Sequence, residues 1–259
     1  MNFNQFLQRN SVAFAGALPV VHTTASYNIS QIWEGNTLST SECDVFTKEE
    51  LLYFFVGRPS YKIANSTGSA NTWQLPCCFI FEFDAIPRAK RVFPFDSGAF
   101  ARSRTPDYIS MMPLENFDAA SVPNASERII GAYFGDATRY FNLVPKGENE
   151  FLSEFSVGVL DAEAHAVHKL ISADKDNKVD DRRACIELQV DQEIDLQVRK
   201  PLAVIAPSPY FDVKEFRNHV VNNWNARAIP YPISPLNTDS YYSDIYNRVK
   251  CLYEELGLL

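Results

Sequence analysis

Apolar residues fall in short blocks along the chain, and the spacing within each block sets the element it predicts. Residues 17–24 (ALPVVHTT) read as a strand ending in polar residues. Ile29, Ile32 and Trp33 then follow helical spacing, with Gly35 placed to close the helix. Residues 51–56 (LLYFFV) and 77–83 predict strands, the first stopped by Gly57-Arg58-Pro59. Residues 86–127 are proline-rich and irregular, a long connection of the kind that carries function or binds a partner. Residues 128–134 (RIIGAYF) read as a strand, after which Asp136 caps a helix to about Leu143. Residues 161–171 suit a helix, 172–183 are polar throughout, and 184–190 (ACIELQV) and 201–206 predict buried strands. Asp212 and Glu215 form a capping-box-like pair ahead of an apolar stripe of Val213, Phe216, Val220 and Trp224. The IPYPISP segment breaks the chain before a last helix carrying Ile245, Val249, Leu252 and Leu256. Strands and helices do not alternate regularly, which predicts an α+β fold. The expected organisation is one domain over 1–259, with an insertion at 86–127 and a C-terminal helical extension at 208–259.

Composition narrows the class. The 259 residues are 46% hydrophobic and 13% aromatic, enough for a sizeable core and against disorder. The formal net charge of −8 excludes a general nucleic-acid coat protein, though not an enzyme with a local basic groove. The apolar run from Val12 to Val21 contains Gly16 and Pro19 and follows a single basic residue, Arg9, so it reads as a first strand and not a signal peptide. No apolar run approaches the roughly 20 residues of a membrane helix. Five cysteines, odd in number and without a CxxC pair, fit a reducing, cytoplasmic setting.

Common nucleotide-binding, hydrolase and zinc-protease motifs are absent. Three strand ends stand out instead: His22-Thr23-Thr24 before a short helix; Tyr53-Phe54-Phe55-Val56-Gly57-Arg58-Pro59; and Glu187 in the strand Ala184–Gln189, preceded by Arg182 and Arg183. A second basic set, Arg88, Lys90, Arg91, Arg102 and Arg104, is interleaved with Phe93, Phe95 and Phe100, a composition that suits single-stranded nucleic acid.

In order and local context these three sites resemble the DarT-like ADP-ribosyltransferases, toxins that modify nucleic acids with NAD. The Gly-Arg-Pro setting of Arg58 marks a divergent cousin, such as an RNA-modifying toxin of the CmdT type. The resemblance implies a split mixed and antiparallel sheet with flanking helices, NAD as co-substrate, and a nucleic-acid acceptor, with RNA favoured over DNA. It also implies a toxin–antitoxin or phage-defence setting with a cognate antitoxin or chaperone. Glu187 and Arg58 take the catalytic roles, and His22, Thr23, Thr24, Tyr53, Arg58 and Tyr61 hold the dinucleotide.

The chemistry fits these residue types. Cleavage of the nicotinamide–ribose bond develops oxocarbenium character, which an anionic carboxylate stabilises. A guanidinium stays charged and offers forked donors to a diphosphate. Gly57 would allow close backbone approach to the ligand. Tyr53 or Tyr61 can stack on nicotinamide, and Arg182 and Arg183, in the loop before Glu187, can meet an acceptor phosphate.

Taken singly, each residue has an ordinary reading. His22 is a strand-end polar residue, Arg58 a turn arginine, and Glu187 a solvated glutamate if strand alternation turns it outward. His165 and His168 lack a completing carboxylate and read as a surface helix, with no metal site expected. Asp96-Ser97-Gly98 reads as a turn. Two further functions stay open: a transferase acting on protein or an NAD glycohydrolase, and a non-enzymatic interaction protein with a degraded site.

Overall fold

The computed structural model describes residues 2–10, 16–60, 71–173, 181–234 and 241–259. Ten strands are present among them: β1 (Val20–Ala25), β2 (Thr37–Leu38), β3 (Ser41–Glu42), β4 (Glu50–Val56), β5 (Pro76–Phe81), β6 (Arg91–Phe93), β7 (Glu187–Val190), β8 (Ile194–Asp195), β9 (Ala203–Pro207) and β10 (Arg227–Tyr231). The main sheet runs β10-β9-β5-β1-β4-β7-β6, with β3 added against β4; β2 and β8 form a separate pair. Only β9 and β10 are parallel, so the protein is α+β with a mixed, mostly antiparallel sheet flanked by helices.

Alternation along the strands splits the core in two. Val20, Phe54, Val56, Phe79 and Leu188 face a large cluster that includes Phe3 and Phe6 of the helix Phe3–Arg9 and the helices Ala125–Tyr133 and Ala162–Ser172. Val21, Cys78, Ile80, Ala203 and Ile205 face Ile245, Val249, Leu252 and Tyr253 of the helix Tyr241–Glu255. None of the five cysteines is in a disulfide, and only Cys251 is exposed. No helix among the described residues is long and apolar enough to cross a membrane.

Several sequence expectations are corrected. Residues 128–133 are helical, within Ala125–Tyr133, and Phe134 caps that helix. That helix is buried nearly all round, so its apolar run lacks the one-sided stripe that separates helix from strand. The proposed insertion at 86–127 supplies β6, which pairs with β7, so part of it belongs to the sheet; a three-residue strand bounded by prolines leaves little periodic signal. The 208–259 segment is not purely helical, because it contains β10. Arg227 donates its N–H to Leu202, so by alternation residue 230 turns its backbone nitrogen away from β9, and Pro230 loses no ladder bond there. Asp212 does not cap the following helix. It ends Ser208–Asp212, a helix started one turn earlier with a proline in its first turn. His168 is buried: its Nε2 lies 2.9 Å from the carbonyl of Lys146, and its ring stacks on Phe151 at 4.5 Å.

Candidate functional site

The sheet opens between β1 and β4. β1 pairs with β5 along six residues, Val20 to Ala25, but with β4 only through Val20↔Val56 and Val21↔Phe55. From His22 onward the β1–β4 ladder stops, and the His22 imidazole bridges the gap, with Nδ1 2.9 Å from the carbonyl oxygen of Tyr53. A carbonyl only accepts, so Nδ1 carries the proton and Nε2 is left as an acceptor. Burial lowers the His22 pKa and favours this neutral form.

Two adjoining lobes flank this opening. One, of about 390 Å³, is lined by Thr23, Tyr53, Phe55, Asp96, Arg102, Arg182 and Glu187. The other, of about 370 Å³, is lined by His22, Thr24, Asn28, Gln31 and Thr37, and Ser41 lines both. The second lobe is rich in hydroxyl and amide groups; Asn28 Nδ2 donates to Thr24 Oγ1 at 2.7 Å. In the first lobe the Tyr53 hydroxyl donates to Cys43 Sγ at 2.8 Å, and Thr23 Oγ1 lies 3.6 Å from Cys78 Sγ.

Glu187 stands in β7 with Phe55 opposite it on one side and Phe93 on the other. It is 1% exposed. Ser97 donates its hydroxyl to Oε1 at 2.6 Å and its backbone N–H to Oε2 at 3.1 Å. Gln189 Nε2 donates to Oε1 at 2.7 Å and to Ser97 Oγ at 3.0 Å. Desolvation, with the charge of Asp96 beside it, pushes the Glu187 pKa up to about 8, against the lowering effect of these donors. The outward, solvated reading of Glu187 is therefore excluded. The turn expected at Asp96-Ser97-Gly98 is instead the start of a helix, and the sequence gives no sign that Ser97 serves Glu187. Asp96 caps the helix Ser97–Ala101 by accepting the Ala99 N–H at 2.6 Å, and that capping directs Ser97 at the carboxylate. A serine and a glutamate ninety residues apart in sequence share no local pattern.

Arg58 is placed differently from its expected role. It is fully buried and is not among the residues lining either lobe. Its Nη2 donates to the carbonyl of Asp181 at 3.2 Å and lies 3.4 Å from Cys185 Sγ, and its guanidinium stands 5.8 Å from the centre of the Tyr140 ring. Nε and Nη1 have no hydrogen-bond partner among the described residues. Gly57 serves packing and a turn. It holds φ at 70°, and a Cβ there would meet Leu18 Cδ1 at 2.7 Å and Tyr140 Cε1 at 3.1 Å. Arg182 lines the first lobe with Glu187, whereas Arg183, half-buried, lines neither. Tyr61 lies outside the described residues.

The basic-aromatic stretch does not form a stacking surface. Phe93 and Phe95 are buried, and Phe95 stacks on Phe100 at 5.5 Å. Arg91 makes a forked pair with Glu49 at 2.7 and 2.8 Å, Lys90 approaches the same carboxylate at 3.1 Å, and Arg102 pairs with Asp44 at 2.6 Å. Phe93 and Phe95 entered the core, and Lys90, Arg91 and Arg102 found acids, because a compact chain satisfies both first.

No protein-family pattern, curated protein or solved structure matches the chain.

Proposed function

We propose that the protein is an NAD-dependent ADP-ribosyltransferase that uses Glu187 to drive transfer of ADP-ribose onto a nucleic-acid base, with RNA ahead of DNA, as a toxin held by a cognate partner. One observation carries the reading: a fully buried carboxylate, oriented by three donors, lines a cleft where the sheet opens between β1 and β4. The fold class proposed is the split-sheet ADP-ribosyltransferase class. His22 and Thr24 suit the adenosine ribose, and Tyr53 and Thr23 suit the nicotinamide riboside end. As the bond from ribose C1′ to nicotinamide breaks, nicotinamide leaves with the electron pair and C1′ gains positive character. The Glu187 carboxylate stabilises that charge. The acceptor then supplies a lone pair to C1′, and Glu187 takes its proton. Burial raises the proton affinity of Glu187, which suits it to that last step.

A second reading keeps NAD cleavage but gives ADP-ribose to water or a protein side chain. The buried Phe93 and Phe95 and the ion-paired Arg91 and Arg102 favour it. Incubation with adenine-labelled NAD and separate RNA, DNA and protein pools distinguishes the two. Label on RNA supports the first, and free ADP-ribose or labelled protein supports the second. No nicotinamide release by the wild type under any condition rejects both.

A further inference from the structure

Arg58 bonds to the backbone of the short turn that contains Arg182. The turn Asp181–Ala184 carries Arg182 into the cleft and leads directly to Glu187. Its carbonyls are held at consecutive positions. Asp181 O accepts from Arg58 Nη2 at 3.2 Å and from Cys185 Sγ at 3.1 Å, and Arg182 O accepts the Asp96 N–H at 3.0 Å. The backbone on both sides of Arg182 is thus pinned, once by Arg58, which lines neither lobe, and once by the residue that caps the Ser97 helix. We infer that Arg182 is the guanidinium that receives the diphosphate of the dinucleotide, and that Arg58 is a positioning residue acting through the Asp181 carbonyl. This inference rests on the NAD reading and moves to Arg182 the diphosphate role that the sequence assigned to Arg58.

Three features support it. Arg182 shares the lobe with Glu187 and Tyr53, whereas Arg58 reaches neither lobe. Among the arginines lining that lobe, Arg102 stands at a solvent-exposed ion pair with Asp44, while Arg182 is 3% exposed. A charge-assisted contact to a phosphate is strongest where water is excluded and the donor is already fixed. Asp96 and Glu187 in the same lobe suit the cationic nicotinamide end, and a diphosphate next to that end needs a cation in the same lobe, which Arg182 supplies.

The test is a double-mutant cycle on binding, with ADP-ribose and inorganic pyrophosphate as separate calorimetric probes of the whole chain. Arg182→Ala should weaken ADP-ribose binding by about 10- to 100-fold, the usual range for one charge-assisted bond, and Arg182→Lys should recover part of it. Arg58→Met should also weaken binding, but in the Arg182→Ala background it should add less than about twofold, because its effect passes through Arg182. Unchanged ADP-ribose affinity in Arg182→Ala, or an additive loss from Arg58→Met, overturns the inference. If Arg58→Met does not fold, the Arg182→Ala and Arg182→Lys results still decide whether Arg182 holds the diphosphate. Pyrophosphate or ADP-ribose binding that depends on Arg182, without NAD cleavage by wild type, keeps the anion site and rejects the transferase reading. No binding of either probe to the wild type overturns the inference itself.

Discussion

Ser97 reaches both oxygens of Glu187, one through its hydroxyl at 2.6 Å and the other through its amide at 3.1 Å. Both bonds favour the ionised carboxylate, against burial and the neighbouring Asp96. Ser97→Ala removes the hydroxyl bond and keeps the amide. If cleavage requires the carboxylate, kcat/KM for the wild type should rise with pH and level off above about 8. In Ser97→Ala the break should move to higher pH, with a loss of about 10-fold or more at pH 7. A pH–rate profile of nicotinamide release checks this, and an unmoved break shows that Ser97 does not tune Glu187.

The same group sets a pH dependence of stability. The folded-state pKa of about 8 lies above the ordinary value of 4.5, so between these limits the folded state holds more protons than the unfolded one. Stability from this group is then fully present below 4.5 and is lost as pH rises toward 8. Glu187→Gln cannot ionise. Thermal melts at pH 5 and 8.5 should show the wild type losing more Tm than the variant, and equal losses contradict a raised pKa. The variant should also lose NAD cleavage by about 1,000-fold or more.

Tyr53 separates ring from hydroxyl. Its hydroxyl is committed to Cys43, so Tyr53→Phe should leave KM for NAD within about threefold. Tyr53→Ala removes the stacking face and should raise KM about 10-fold. Steady-state kinetics with both variants tests the assignment, and equal effects would place the function in the hydroxyl.

Gly57 tests the close approach described for the turn. Gly57→Ala forces a Cβ against Leu18 and Tyr140 at a positive φ, and should destabilise by about 1–3 kcal/mol. Urea denaturation measures it, with ADP-ribose affinity of the folded fraction expected to stay unchanged. A selective loss of affinity would return Gly57 to the ligand-facing role read from the sequence.

The legible parts of the sequence were those with one-sided burial or a strong local stop. β4 ends at Gly57 as expected, the helix Ile29–Gly35 shows its spacing, and Asp136 caps its helix by accepting the Arg139 N–H at 2.7 Å. Glu187 was visible because a charge inside an apolar strand is costly unless held. What stayed hidden depends on tertiary contact. The helix Ala125–Tyr133 is wrapped by core, β6 has three residues, and β10 contains Pro230. Ser97 meets Glu187 only after β6 and β7 pair. Arg58 looked ligand-facing because its strand ends beside the cleft, but the turn after Val56 carries its side chain away from both lobes to Asp181 and Cys185.

Pro230 has a consequence for the behaviour of many molecules together. β10 is the outermost strand on its side of the sheet. Of its outward-facing backbone nitrogens, that of Pro230 carries no hydrogen, so a strand from a neighbouring chain finds only an interrupted row of donors there. The open rim of the sheet therefore resists growing into a ladder between molecules, even in a concentrated solution.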